Sequence, residues 1–264
     1  MSNKFYFFFL AIFLIGSCSD ETTTSAIWVQ PSVDTTWQIQ LSGTVNTEYN
    51  VGLYDIDLFD VSTAKIAGLK ARGIIVICYF SGGSYEDWRS DESSFSAVDL
   101  GNELDGWEGE NWLDITSARV RAVMLTRLDL AKAKGCDGVD PDNMNGYDND
   151  TGFDLTAAEQ LAYNIFMANA AHSRGLAVGL KNDLDQVAEL VSYFDFQVNE
   201  QCYQYDECSL LFPFIAAGKP VFNIEYNAAI VSDPTDLCAD AASWSFRSLV
   251  MPLLLDDTSR TSCD

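Results

Sequence analysis

The chain has 264 residues, 48% of them hydrophobic, and 39 acidic against 15 basic side chains give it a net charge of -24. That surplus repels phosphate backbones and anionic headgroups, which excludes nucleic acid as a partner and suits a polycationic ligand. A single histidine, His172, leaves no means of building a His-dependent triad or a His-liganded zinc site.

Lys4 and the apolar run Phe5 to Ile15 have the length of a signal peptide and fall short of the ~20 residues that span a bilayer. Ile15-Gly16-Ser17-Cys18 is similar to a bacterial lipobox. Residues 1–17 are therefore expected to be a lipoprotein-type signal peptide, Cys18 the lipidated residue, and 18–35 a flexible tether. On that reading the protein is exported and sits at a bacterial cell surface or in the periplasm, anchored to the outer membrane. Six cysteines then remain, enough for three disulfides. Cys202 and Cys208 share a short loop, Cys238 and Cys263 suit a tie to the C-terminal segment, and Cys78 and Cys136 are left over; spacing does not fix the pairing.

Residues 36–264 read as one domain. Trp37 to Leu41 and Val51 to Asp57 alternate as strands do, and a helix through Ala64 to Ala71 closes at Gly73. Ile74 to Phe80 is continuously apolar, the mark of a strand covered on both faces. Ser81 to Thr116 is long and polar, with Trp88, Trp107 and Trp112 available to stack on sugars or to pack the loop down. Ala118 to Lys134 has helical spacing and Gly135 ends it. The next strand lies in the stretch Gly135 to Asn145 and stops at Asn143, and a helix capped by Thr156 and Glu159 follows. Strands at Ala177 to Lys181, Phe194 to Glu200, Pro220 to Tyr226 and Ser248 to Leu255 complete eight. The sum is an α/β fold, a single (β/α)8 TIM barrel, expected to be a monomer.

In such a barrel the C-terminal strand ends share one mouth. Gln40, Asp55, Asp57, Tyr79, Asp140, Asp142, Lys181, Asn199, Glu200 and Glu225 occupy those ends. An isolated Asp140-x-Asp142-Asn143 is more often a turn cap, but carboxylates recur on four strands. Cofactor-free chemistry built on two carboxylates is glycoside hydrolysis. An EF-hand frame fails on the Asp140 to Asp154 loop, because Pro141 or Tyr147 falls where the first ligand belongs, so no metal and no cofactor are expected. Asp142 beside Lys181 is read as the nucleophile. Glu200, beside the apolar Tyr203 and Tyr205 region, is read as the acid/base, with retention of configuration favoured. Glu200 shares parity with Phe196 and Val198, which are expected to face the helices, so it reaches the mouth only if the strand has already ended or bulges at Asn199.

The blocks Trp37-Gln38-Ile39-Gln40-Leu41-Ser42-Gly43, Cys78-Tyr79-Phe80-Ser81-Gly82-Gly83, Gly135 to Asn143, Gly179-Leu180-Lys181-Asn182, Val198-Asn199-Glu200-Gln201-Cys202 and Asn223-Ile224-Glu225-Tyr226 together resemble glycoside hydrolase family 114, the endo-α-1,4-polygalactosaminidases. The resemblance implies a cofactor-free (β/α)8 barrel that cleaves partly deacetylated, cationic α-1,4-galactosamine polymers. It implies Asp142 and Glu200 as the catalytic acids. Asp55, Lys181 and Glu225 match its pocket positions, and Tyr79, Asp140, Asn143 and Tyr203 are expected to meet substrate with them. Two alternatives stay open: a non-catalytic carbohydrate-binding surface lipoprotein, and a barrel glycosidase for a neutral α-galactoside.

Overall fold

A computed structural model describes residues 28–263, with Met1 and Ser2. The expected signal peptide, Cys18 and the tether up to residue 27 lie outside the described residues. Among the described residues there are twelve strands: β1 Trp37–Gln40, β2 Leu53–Asp57, β3 Ile75–Ser81, β4 Ser84–Glu86, β5 Leu100–Glu103, β6 Glu110–Leu113, β7 Gly138–Asp142, β8 Ala177–Lys181, β9 Phe196–Glu200, β10 Val221–Glu225, β11 Arg247–Val250 and β12 Thr261–Ser262. The α-helices are α1 Thr63–Ala71, α2 Ala118–Lys134, α3 Ala157–Ser173, α4 Val187–Leu190, α5 Phe212–Ala216, α6 Ala228–Ser232 and α7 Thr235–Trp244.

The helix starts are set by short polar side chains that satisfy free backbone N–H groups. Ser62 and Ser117 cap α1 and α2, and Thr156 with Glu159 forms a capping box on α3. Gly135 ends α2 at φ 90, a left-handed conformation that glycine adopts without a Cβ clash.

The large sheet runs β1-β2-β3-β7-β8-β9-β10-β11-β12, parallel throughout except for β12. Its ends meet: Trp37 Nε1 donates to the Arg247 carbonyl at 2.8 Å, and Leu41 N to the Leu255 carbonyl at 3.0 Å. The result is the expected (β/α)8 barrel, with the eighth strand reduced to four residues and ending before Pro252.

Inside it, Trp37, Ile39, Leu53, Ile77, Phe196, Val198, Phe222, Ile224 and Leu249 form one apolar cluster. Outside it, Tyr54, Ile56, Val76, Val139, Val178 and Leu180 pack with Val120, Met124, Leu128, Tyr163 and Met167 of the helices. A Cβ at Gly179 would run into the Phe196 ring, so that glycine makes room for the aromatic filling of the barrel.

The Ser81 to Thr116 segment is more ordered than its composition suggests. It builds a three-stranded antiparallel sheet, β4-β6-β5, which the sequence reading took for loop. Two buried arginines fasten it. Arg89 reaches Asp57 at 2.7 Å and Glu86 at 2.7 Å, while Arg127 of α2 donates to the Ser81 carbonyl at 2.7 Å and to Asp91 at 2.8 Å.

Residues 28–35, assigned to the tether, are docked where they are described. The Trp28 ring stacks on His172 with centroids 3.9 Å apart, and its Nε1 donates to Asp195 at 2.9 Å. Three disulfides are formed: Cys78–Cys136, Cys202–Cys208 and Cys238–Cys263.

Candidate active site

Along each inward-facing row, side chains change from apolar to polar toward the C-terminal end. Leu53 gives way to Asp55 and Asp57, Ile77 to Tyr79, Gly138 to Asp140 and Asp142, Ala177 to Lys181, and Phe196 and Val198 to Glu200. The barrel floor is therefore filled, and the mouth carries the charge.

Lys181 is the centre of that charge. It is 1% exposed, and its Nζ lies 3.3 Å from Asp142 Oδ1 and 3.5 Å from Glu200 Oε2. Two oxygens this close to one nitrogen are no more than about 7 Å apart, within the span of glycosidase carboxylate pairs. Burial opposes the Lys181 charge, but Asp142, Glu200, Asp140 and Asp55 together outweigh it and raise its pKa.

Each carboxylate has further fixed donors. Asp142 Oδ2 accepts from the Tyr79 hydroxyl at 2.7 Å and Oδ1 from the Asn143 N–H at 2.7 Å. Glu200 Oε1 accepts from Tyr226 at 2.6 Å and Oε2 from Asn182 Nδ2 at 3.1 Å. Burial first, and then the neighbouring carboxylates, push both tyrosine pKa values well above the usual phenol value, so both remain donors. The Asn143 side chain bonds to Ser81 and Ser84, which ties the strand end to the inserted sheet.

Asp55 and Asp140 lie beneath the pocket, 1% and 0% exposed, and none of their four oxygens has a donor from another residue. Burial, and next the charge of Asp140, hold Asp55 well above the ordinary carboxylate range. They support the floor rather than line the cleft.

Tyr79, Asp142, Asn143, Lys181 and Glu200 do line one pocket of about 220 Å3, as expected. Besides Asp55 and Asp140, two further expected members do not. Glu225 is fully buried on the outer face of β10, where Oε1 accepts from Tyr203 N at 2.9 Å and from Asn223 at 3.2 Å. Tyr203 packs on Trp244 on that same outer side. Gln40 and Asn199 also leave the mouth: Gln40 bonds to the Ser42 and Thr44 carbonyls, and Asn199 accepts from Asn223 and from Cys202 N.

The cause is an inverted parity in β1, β9 and β10. Phe196 and Val198 fill the barrel rather than facing helices, so Glu200 reaches the mouth on a regular strand and no bulge is needed. The environments expected to separate the two acids also change, because Lys181 touches both and Tyr203 touches neither.

Residues not anticipated complete the pocket. Tyr226 follows β10, and Asn182 follows Lys181 at φ 50; each is the residue next to a strand end already singled out. Glu110 of β6 accepts from Ser84 at 2.8 Å, and burial, its main perturbation, pushes its pKa up to about 7. Trp107 is exposed and lines the pocket, Trp88 is exposed elsewhere, and Trp112 is packed in. Among the described residues no group of three or more His, Cys, Asp or Glu is placed to hold a metal.

Comparison with known proteins agrees with this geometry. The sequence model of glycoside-hydrolase family GH114 matches residues 19–264. The crystal structure of Aspergillus fumigatus Ega3 in complex with galactosamine superposes with a TM-score of 0.85 at 46% identity, covering 91% of this chain and 99% of that one. The glycoside hydrolase domain of PelA from Pseudomonas aeruginosa shares the fold at a TM-score of 0.69 and 15% identity, over 86% of this chain and 98% of that one. No curated protein matches. A family match spanning all of the barrel, and a near relative that superposes along almost its whole length, place this chain in glycoside hydrolase family GH114 and make it a glycoside hydrolase.

Proposed function

We propose that this enzyme cleaves internal α-1,4-galactosaminidic bonds in a cationic, partly deacetylated galactosamine polysaccharide, with Asp142 as nucleophile and Glu200 as acid/base. The single observation carrying the mechanism is the placement of Lys181 Nζ between the two carboxylates. The substrate class is supported by the net charge of -24 and by the galactosamine bound to Ega3.

In this reading Asp142, on a short side chain held by Tyr79 and its own neighbour's N–H, attacks the anomeric carbon. The C1–O bond breaks, and Glu200 gives its proton to the departing oxygen. Glu200 has the longer reach and the more exposed side chain, 27% against 17% for Asp142, so water can enter beside it. Glu200 then takes a proton from that water, whose oxygen replaces Asp142 at C1 with net retention. The bound of about 7 Å favours retention, which uses pairs ~5 to 5.5 Å apart, over the wider range of inversion.

The test is release of new reducing ends from a partly deacetylated α-1,4-galactosamine polymer, with the first-formed anomer read by NMR. The wild type yields the α-anomer, and Asp142→Asn or Glu200→Gln lowers kcat by roughly 10³-fold or more with an unchanged circular dichroism spectrum. Polymer binding without new reducing ends would instead favour a carbohydrate-binding protein.

We further propose export with a lipid on Cys18. Metabolic labelling with palmitate should mark the wild type and not Cys18→Ser; label in both would exclude Cys18 as the anchor.

A further inference from the structure

On the outer side of the barrel, beyond the loop that follows Glu200, lies a hollow of about 560 Å3 lined by Tyr203, Asp206, Phe212, Asp240 and Trp244. The loop closed by the Cys202–Cys208 disulfide supplies one of its walls. That volume falls within the ~300 to 1,000 Å3 of small-ligand sites. None of these side chains lines the cleft of Asp142 and Glu200.

Trp244, at the end of α7, is half-buried and touches three other rings. Tyr203 lies 6.3 Å from its ring centre at 47°, Phe212 6.2 Å at 60° and Phe246 5.6 Å at 63°. None of the three lies flat on the indole, in contrast to Trp28 on His172. The indole N–H groups of Trp28 and Trp37 both find acceptors, as packed tryptophans do. Neither the Trp244 N–H nor the Tyr203 hydroxyl is buried, and neither bonds to another described residue.

The charged groups around these rings are all acids. Asp206 is exposed and Asp240 half-buried, no Lys or Arg lines the hollow, and neither carboxylate takes a hydrogen bond or an ion pair from another described residue. Burial first, and then the charges of Asp240 and Asp236, raise the Tyr203 pKa above the usual phenol value, so both carboxylates act on that ring. Behind it, Glu225 accepts from Tyr203 N at 2.9 Å and keeps Oε2 buried without a donor. Apolar ring faces, free polar groups at their edges and uncompensated negative charge together fit a pyranose that bears an ammonium group. Its C–H face packs on the rings, its hydroxyls meet the free N–H and O–H, and its cation is drawn to the acids and to the indole π face. An anionic ligand would be repelled, and an apolar one would desolvate Asp240 with no compensating charge.

We propose, resting on the substrate class given above, that this outer hollow is a second carbohydrate site, which holds an amino-sugar unit of the cationic polymer outside the catalytic cleft. The two places are close enough to share one chain. Gln201 lines the cleft and Tyr203 the hollow, and two residues span at most about 7 Å. A polymer held at both gains affinity over a short oligosaccharide that fills only the cleft.

Binding and kinetics of the full chain test the site. In an Asp142→Asn background, which stops cleavage, affinity electrophoresis through gels holding partly deacetylated α-1,4-galactosamine polymer reads the Kd. Trp244→Ala should weaken it by roughly fivefold or more. Asp206→Asn with Asp240→Asn, which leaves the aromatic packing in place, should weaken it by a similar factor. With Asp142 intact, the same changes should lower kcat/KM on the polymer, relative to that on a galactosamine trisaccharide, by roughly fivefold and through KM. Unchanged retention in both variants, or equal losses of kcat/KM on polymer and trisaccharide, overturns the site and leaves the glycosidase reading standing. A dimer that Trp244→Ala splits while polymer retention persists gives the face to a second copy of the chain and likewise overturns the site. No cleavage by the wild type, with retention still dependent on Trp244 and the two aspartates, keeps the site and overturns the glycosidase reading. A wild type that neither cleaves nor binds the polymer overturns both.

Discussion

Lys181 and Glu200, from neighbouring parallel strands, meet at 3.5 Å beneath the cleft, and the same ammonium reaches Asp142 at 3.3 Å. One buried cation thus fixes the spacing of the two acids. Lys181→Met keeps the side-chain shape and removes the charge. It should lower kcat by about 100-fold or more and reduce the melting temperature, because the carboxylates it leaves behind are partly desolvated. Activity within about threefold of wild type would show that the ammonium does not hold the pair.

Stability should fall as the pH rises through neutrality. Glu110 is 8% exposed, and burial, its largest perturbation, brings its pKa to about 7; burial likewise brings Asp140 to about 7. A carboxyl whose folded pKa is raised binds its proton more tightly when folded. Its stabilisation is complete below the unfolded pKa of about 4.3 and is lost as pH climbs through the folded value. For Glu110 the loss is up to about 3 kcal/mol. Glu110→Gln, which retains an acceptor for Ser84, should flatten the fall in melting temperature between about pH 4.5 and 8. An identical slope in the variant would show that Glu110 contributes nothing to it.

The disulfides should differ in what they hold. Cys78–Cys136 spans 58 residues of sequence and joins β3 to the turn before β7, whereas Cys202–Cys208 closes a loop over only 6. In the chain-entropy account these are worth about 4 and about 2 kcal/mol. Replacing Cys78 and Cys136 with alanine should therefore cost more melting temperature. Replacing Cys202 and Cys208 should act on catalysis, since that loop begins two residues after Glu200 and carries the Tyr203 N–H bonded to Glu225. Equal losses of kcat in the two double variants would remove the second half of this expectation.

Most elements were legible because their signals are local. Thr156 with Glu159 marks a helix start through bonds within one turn, and Gly135 marks an end. The positions of the proposed pair were legible too, since Asp142 and Glu200 each close a strand and stand in the blocks that resemble the family. The facing of the strands was not. Barrel strands are covered on both sides, so alternation between polar and apolar does not say which row points inward. Gln40, Asn199 and Glu225 read as mouth residues, yet all are buried on the outer side, where Asn199 and Glu225 bond to Asn223 and to the loop after Glu200. The inserted sheet β4-β6-β5 was missed because its strands are short and its anchors, Arg89 and Arg127, bind partners as far as 32 and 46 positions away.

By itself the sequence determined the barrel and its strand ends, because periodicity, caps and motifs are properties of neighbouring residues. Only the tertiary structure decided that Lys181 stands between Asp142 and Glu200, that Tyr226 and Asn182 hold Glu200, and that Glu225 belongs to the outer layer. Those relations depend on sheet curvature and on which row of each strand turns inward, and no pair of adjacent residues carries that information.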